Sequence, residues 1–197
     1  MSQAPLTREA RKGQTREAIV AAATKRFARD GIEATSLDRI ANEIGLTKGA
    51  IYSTFGSKDE LVEAVASANS VSVGEDLMFD PNIPIQEVLR SLGTELMAMR
   101  KKLTRDQFAL FLELHLYERR HASWGKQMAA ENRAAMLDEL PRLEEVMTER
   151  GENLAVPLDE FFTALNAIAI GVVIQLERDP NSLSTESVVK MFEALAE

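Results

Sequence analysis

Cysteine is absent from this 197-residue chain. Its absence excludes a disulfide scaffold, a thiolate zinc site, an iron–sulfur cluster and a cysteine nucleophile. Histidine occurs only twice, as His115 and His121. Six residues apart, the two do not stack on one helical face as a zinc pair would. Glu113, Glu118 and His121 combine into a metal site only on paper, because nothing in their spacing favours one, so no metal and no cofactor is expected. Strand-like alternation and Asn-Gly or Asp-Gly hairpin signals are missing as well, and no internal repeat stands out. The opening MSQAPLTREARKGQ lacks the apolar core of a secretory signal. The most apolar stretch, 161–176, carries Thr163, Asn166 and Gln175, which makes it too short and too polar to span a bilayer. A cytoplasmic protein without a membrane segment is expected.

What is present is 45% apolar and 27% charged residues, the balance of a globular protein, with a net charge of −8. That average hides a split. Residues 1–57 hold nine Lys/Arg and six Asp/Glu, whereas 58–197 hold fourteen and twenty-five. A basic head on an acidic body asks for a separate reading of each part.

The apolar periodicity is helical throughout, and nine helices are expected. A first helix over 15–30 places Ile19, Ala23 and Phe27 on one face and ends at Gly31. Thr35 or Ser36 caps a short helix with Leu37, Ile40, Ala41 and Ile44 inward, and Gly45 breaks it. Thr47 caps a second, from Lys48 to Thr54, with Ile51 inward and Phe55 packing behind it. Ser57 and Glu60 open a fourth that runs to about 73. Beyond Asp80-Pro81, helices are expected from Pro84 to about Lys102, and after a Thr104/Gln107 capping box. Others are expected from Trp124 to Arg150, from Leu158 to Arg178, and from Ser184 or Thr185 to the end. Pro141 is expected to kink or break the helix from Trp124 to Arg150.

Residues 36–55, SLDRIANEIGLTKGAIYSTF, carry the chemistry. Two short helices meet across a Gly-containing turn, the layout of a helix-turn-helix. Ala41 permits close approach, Gly45 takes the turn and Ile51 fills the gap. The second helix then offers Thr47, Lys48, Gly49, Ala50, Tyr52 and Ser53, small or hydrogen-bonding groups suited to a major groove. A plain helical hairpin could share the Ala-Gly-Ile spacing; the basic first helix and the polar outer face favour nucleic acid. Arg8, Arg11, Lys12 and Arg16 read either as an arm on the phosphate backbone or minor groove, or as a solvated terminus.

The run from Arg16 to Val65, with its phrase GLTKGAIYSTFGSKDEL, resembles the N-terminal domain of the tetracycline-repressor (TetR) family of bacterial transcriptional regulators. The resemblance implies an all-α protein. Its head, residues 1–57, would be a three-helix helix-turn-helix DNA-binding domain. Its body, 58–197, would bind an effector and dimerise. It makes Thr47 to Phe55 the recognition helix, with Tyr52 at a phosphate or base edge and Ser36 and Lys58 on phosphates. Position 54, often His in the family, is Thr54 here.

In the body, Phe108, Phe111, Leu112, Leu116, Trp124, Met128, Met136, Phe162 and Leu165 are apolar. Singly they suit a core; together they suit the lining of a cavity for a small, largely apolar effector. His115, Tyr117, Gln127, Asn132 and Asn166 could orient it, with His115 read as a satisfied core or pocket histidine. The stretch 161–176 is apolar nearly all round. The resemblance implies that it pairs with its twofold mate together with the final helix (158–178 and 185–196), with Ala164, Ala167 and Gly171 at the crossing. The expected function is a repressor that binds a pseudo-palindromic duplex operator as a homodimer and is released by a ligand. No catalytic residues are expected, since acid, base and nucleophile groups nowhere reach a diagnostic spacing. The competing readings are a helical carrier or enzyme whose head resembles a DNA module, and a DNA binder without an effector.

Overall fold

The computed structural model describes residues 7–69 and 78–196, apart from the side chains of Arg8, Asn132, Ala135 and Met136. Among the described residues there are nine helices and no strand beyond one isolated bridge, Leu154 to Ala196. They gather into two compact units. One comprises 7–69 together with Thr104–Gln127, the other 78–103 together with 128–196. The compact unit that holds the head is therefore larger than the 1–57 expected of it.

In the first unit, α1 (Arg8–Asp30) begins seven residues earlier than its apolar period suggests. Thr7 is the reason: its hydroxyl accepts the Ala10 N–H at 3.2 Å, and Glu9 suits the positive helix start. Ile19, Ala23 and Phe27 are fully buried, and Gly31, at φ 83°, closes the helix. Ser36 rather than Thr35 caps α2 (Leu37–Glu43). Gly45, at φ 69°, then turns the chain into α3 (Lys48–Phe55), capped by Thr47 as expected. In α4 (Lys58–Asn69), Leu61, Val62 and Val65 are fully buried. The expected extension of α4 to about 73 lies outside the described residues. α6 (Arg105–Arg120), opened by the Thr104/Gln107 capping box, packs along α1.

In the second unit, α5 (Ile85–Lys102) lies against α9 (Thr185–Glu193). Gly93 allows the approach, because a Cβ there would stand 3.0 Å from the Val189 Cα. α7 (Ala122–Arg150) starts in the first unit and continues into the second. It continues through Pro141, so of the expected kink or break the break does not occur. The missing N–H forfeits one bond of the ladder, while Leu143, Val146 and Met147 beyond it are buried and hold the last turns in place. Arg150 donates to the Met78 and Asp80 carbonyls at 3.1 and 2.7 Å, and the Glu152 carboxylate caps the Ile85 N–H at 2.8 Å.

α8 (Leu158–Arg178) has the expected bounds. The helix is 21 residues long and an 18-residue window of it has a mean hydropathy of 1.4, so by length and composition alone it could cross a membrane, although its ends carry Asp159, Glu160, Glu177 and Arg178. Phe161, Val172, Val173 and Leu176 are buried within the unit. Arg100 fastens the end of α8 through the Leu176 carbonyl at 3.0 Å and the Glu177 carboxylate at 2.8 Å.

Candidate nucleic-acid interface

The helix-turn-helix is built from the inside out. Ala41, Ile40 and Ile51 have no exposed surface, and Phe55 is nearly as buried. With Ile51 and Phe55 turned in at i, i+4, the opposite side of α3 must face out. Thr47, Lys48, Gly49, Tyr52 and Ser53 are exposed and Ala50 half-buried, with 46% of the Tyr52 surface open. Ser36 is exposed at the head of α2. The Ser36 and Thr47 hydroxyls accept the Arg39 and Ala50 N–H groups at 3.3 and 3.2 Å, so each hydroxyl proton is left to donate outward. Thr54, by contrast, returns its hydroxyl to the Ala50 carbonyl at 2.8 Å.

Two lysines differ in what they offer. Lys48 lies 3.0 Å from Asp38 across the motif; hydrogen bonding to that carboxylate raises its pKa, and both partners are about half exposed. Lys58 turns inward. Its ammonium donates to the Ile32 carbonyl at 2.6 Å and to the Glu33 carbonyl at 3.5 Å, and burial lowers its pKa. The phosphate contact that the resemblance implies for Lys58 would require it to leave those carbonyls. Arg26 joins α1 to α2 through Glu43 and holds Asp30 at 3.0 Å. Arg29 and Arg26 together hold the Asp30 carboxyl down to about 2.

A second set of residues escaped the sequence reading. Glu113, Tyr117 and His121 recur every four residues, Glu113 and Tyr117 on α6 and His121 closing it. Glu113 accepts the Ile32 N–H at 2.9 Å. The Tyr117 hydroxyl donates to Asp59 in the first turn of α4, and burial followed by that carboxylate raises its pKa, so it stays a donor. His121 Nε2 donates to Glu33 at 2.6 Å while its ring stacks on Tyr117 at 4.0 Å. One face of α6 thus grips both the α1–α2 loop and the start of α4. The four-residue polar spacing was the available signal. Among the described residues no group of three or more His, Asp or Glu side chains is placed to hold a metal.

The residues expected to line a cavity are distributed over both units. In the first, Phe108 and Phe111 are half-buried with stacked rings, and Leu112 and Leu116 are exposed. Trp124 is buried edge-on against Tyr117, within the core of that unit. His115 is exposed rather than buried, its Nδ1 bonded to the Phe111 carbonyl at 2.8 Å. In the second, Met128, Phe162 and Leu165 are half-buried. Met136 has its side chain outside the described residues. Two open grooves, one along α1 and α4 and one around the α7–α8 loop, are lined by other residues.

Residues 19–65, which span most of α1 through α4, match the model of the bacterial regulatory proteins of the tetR family. Over 105 residues the chain is 31% identical to the uncharacterized HTH-type transcriptional regulator TtgW of Pseudomonas putida, covering 53% of this chain and 75% of that one. The chain belongs to the TetR family. A second relative, the HTH-type transcriptional regulator SrpR of Pseudomonas putida, is also 31% identical over 105 residues, but there the match spans only 47% of the relative. Among solved structures, NalD of Pseudomonas aeruginosa, the secondary repressor of the MexAB-OprM multidrug efflux pump, superposes with a TM-score of 0.59. At 20% identity, over 94% of this chain and 98% of NalD, it shares the TetR fold.

Proposed function

We propose that the protein is a transcriptional repressor that binds a pseudo-palindromic duplex operator as a homodimer and leaves it when a small ligand binds. The observation that carries the reading is α3 itself: Ile51 and Phe55 anchor it, and its opposite side is a polar, exposed surface. In this reading Thr47, Lys48, Gly49, Ala50, Tyr52 and Ser53 enter the major groove. Ser36 donates to a phosphate from the head of α2, and Lys58 supports the α1–α2 loop. Repression is the role that NalD's description supports. Duplexes selected from a random pool should contain an inverted repeat with half-sites about one helical turn, or a multiple, apart. Affinity should fall steeply with salt. A pool that returns no inverted repeat contradicts the reading.

Dimerisation is assigned to α8 and α9. Ala167, Gly171 and Ile174 lie at helical spacing on an exposed side of α8, and Met191 is exposed on α9. Beyond its own helix backbone, nothing lies within 4 Å of a Cβ built at Gly171, which leaves room for a partner helix. Gly171→Asp should set an unpaired carboxylate in that crossing and yield monomers by light scattering. A dimer that persists places the interface elsewhere.

The effector is assigned to the outward face of α6. At 100° per residue, Phe108, Leu112 and Leu116 project opposite to Glu113, Tyr117 and His121. A largely apolar ligand against that face would act across one helix diameter on the grip that holds the head. Met128, Met136, Phe162 and Leu165 belong to the other unit, and the lever does not require them. The ligand shifts the equilibrium only by its preference for the released form. α6 is then a lever beside α4. Trp124, in contact with Tyr117, is an intrinsic fluorescent reporter of that grip. The competing reading of a DNA binder without effector has the same head and leaves α6 fixed.

A further inference from the structure

We propose that the first two turns of α1 form a basic spur that lies along the phosphate backbone of duplex DNA, beyond the groove entered by α3. The inference rests on the operator-binding reading above and extends its footprint past the helix-turn-helix. Packing of α1 on the head begins only around Thr15, and Ile19 is its first fully buried residue. Residues 9–14 are all exposed, and a Cβ built at Gly13 would meet nothing within 4 Å. These turns are nevertheless helical, capped by Thr7 and continuous with the packed part. At 1.5 Å per residue, the helix overhangs Arg16 by about 12 Å.

The overhang has a sign. Arg11, Lys12 and Arg16 fall within an arc of about 140° on the helical wheel. Ile19, Ala23 and Phe27 occupy the same arc further along, so the face is apolar where the head covers it and basic where the head ends. Glu9 sits at the edge of that arc, and Glu17 on the far side. Among the described residues Arg11, Lys12 and Arg16 form no ion pair, whereas Arg26, Arg29 and Lys48 are held by Asp30, Glu43 and Asp38. The base of the spur is fixed beside the recognition helix: the Arg16 guanidinium lies 4.8 Å from the ring centroid of Phe55, the last residue of α3. A helix that leaves the end of α3 with its cations unpaired meets the sugar–phosphate edge flanking the groove. The rest of its surface, Ala10, Gly13, Gln14 and Glu17, has no large apolar side chains to enter a membrane. On a chain of net charge −8, such a local strip is what keeps the overhang from being repelled by the phosphates.

The test uses the full chain carrying Arg11→Ala together with Lys12→Ala, on a selected operator with flanks of one helical turn and on the same operator trimmed flush. Alanine keeps the helix, which circular dichroism verifies. On the flanked duplex the slope of log affinity against log salt should become shallower by about 3.6, or about 0.9 for each of the four phosphates that the two protomers no longer neutralise. Trimming should cost the wild type that same share of its slope and leave the variant unchanged. The inverted repeat recovered from a random pool should stay the same, since phosphate contacts carry no sequence information. An unaltered slope on the flanked duplex overturns the spur and leaves the operator reading standing. A change in the selected flanking bases overturns the assignment to phosphates. Wild-type protein that binds no duplex overturns both.

Discussion

Gly49→Glu should abolish most operator binding while leaving the protein as stable as before, or more so. Gly49 is the second residue of α3, exposed, and a Cβ there meets only the Thr47 hydroxyl at an ordinary 3.8 Å. Glutamate is a better helix former than glycine by about 0.5 kcal/mol, and a carboxylate in the first turn complements the helix dipole. Folding therefore loses nothing. On the operator, the same carboxylate would be thrust among phosphates and acceptor-rich base edges, with like charges in a poorly solvated groove. A penalty of about 2 kcal/mol or more is expected, on the order of thirtyfold in affinity. Anisotropy of a labelled operator and a thermal melt on the same sample check the two halves. Undiminished affinity would show that the exposed side of α3 is not at the DNA. Lys48 then becomes informative: its pairing with Asp38 presets the ammonium near the head of α3, and DNA competes with that carboxylate for it.

What was legible in the sequence was local. Ser36, Thr47, Gly45, Pro157 and Asp179 mark their helix ends through backbone chemistry confined to a few residues, and the bounds of α2, α3 and α8 fall within two residues of those marks. The same holds for the inward setting of Ile51 and Phe55, which follows from periodicity alone. Two kinds of feature lay beyond that reach. The overhang of α1 has no apolar period because nothing covers it, so only the Thr7 cap announces it. The grip of α6 depends on partners distant in sequence: Glu113 meets Ile32 across 81 positions, and Tyr117 meets Asp59 across 58. In a linear reading Tyr117 was one more polar residue beside an apolar stretch. Lys58 belongs to the same class, since a lysine beside a DNA motif looks like a phosphate ligand until the carbonyl of Ile32 is found 2.6 Å from it.

Ile51→Ala should do the reverse of Gly49→Glu, unfolding the head rather than blunting its surface. Ile51 has no exposed surface on α3, and Ile40 and Ala41 are likewise fully buried on α2, which packs against α3. Ala41, already small to let the helices meet, cannot fill the space itself. Loss of the isoleucine side chain should therefore cost about 2–5 kcal/mol, at the upper part of that range if the site cannot collapse. Against a typical total of about 5–15 kcal/mol this is a large fraction. Ile51→Val, which removes one methyl group, should cost about 0.5–1.5 kcal/mol and preserve operator binding. Urea titrations of both variants give the ordering directly, provided the slope of each transition matches that of the wild type. Operator affinity of Ile51→Ala should follow its folded fraction, recovering at low temperature or in stabilising osmolyte, whereas Gly49→Glu recovers under neither. A melt of Ile51→Ala that coincides with the wild type would mean that α3 is not anchored through this residue, and the outward assignment of Thr47, Lys48 and Tyr52 would lose its physical basis.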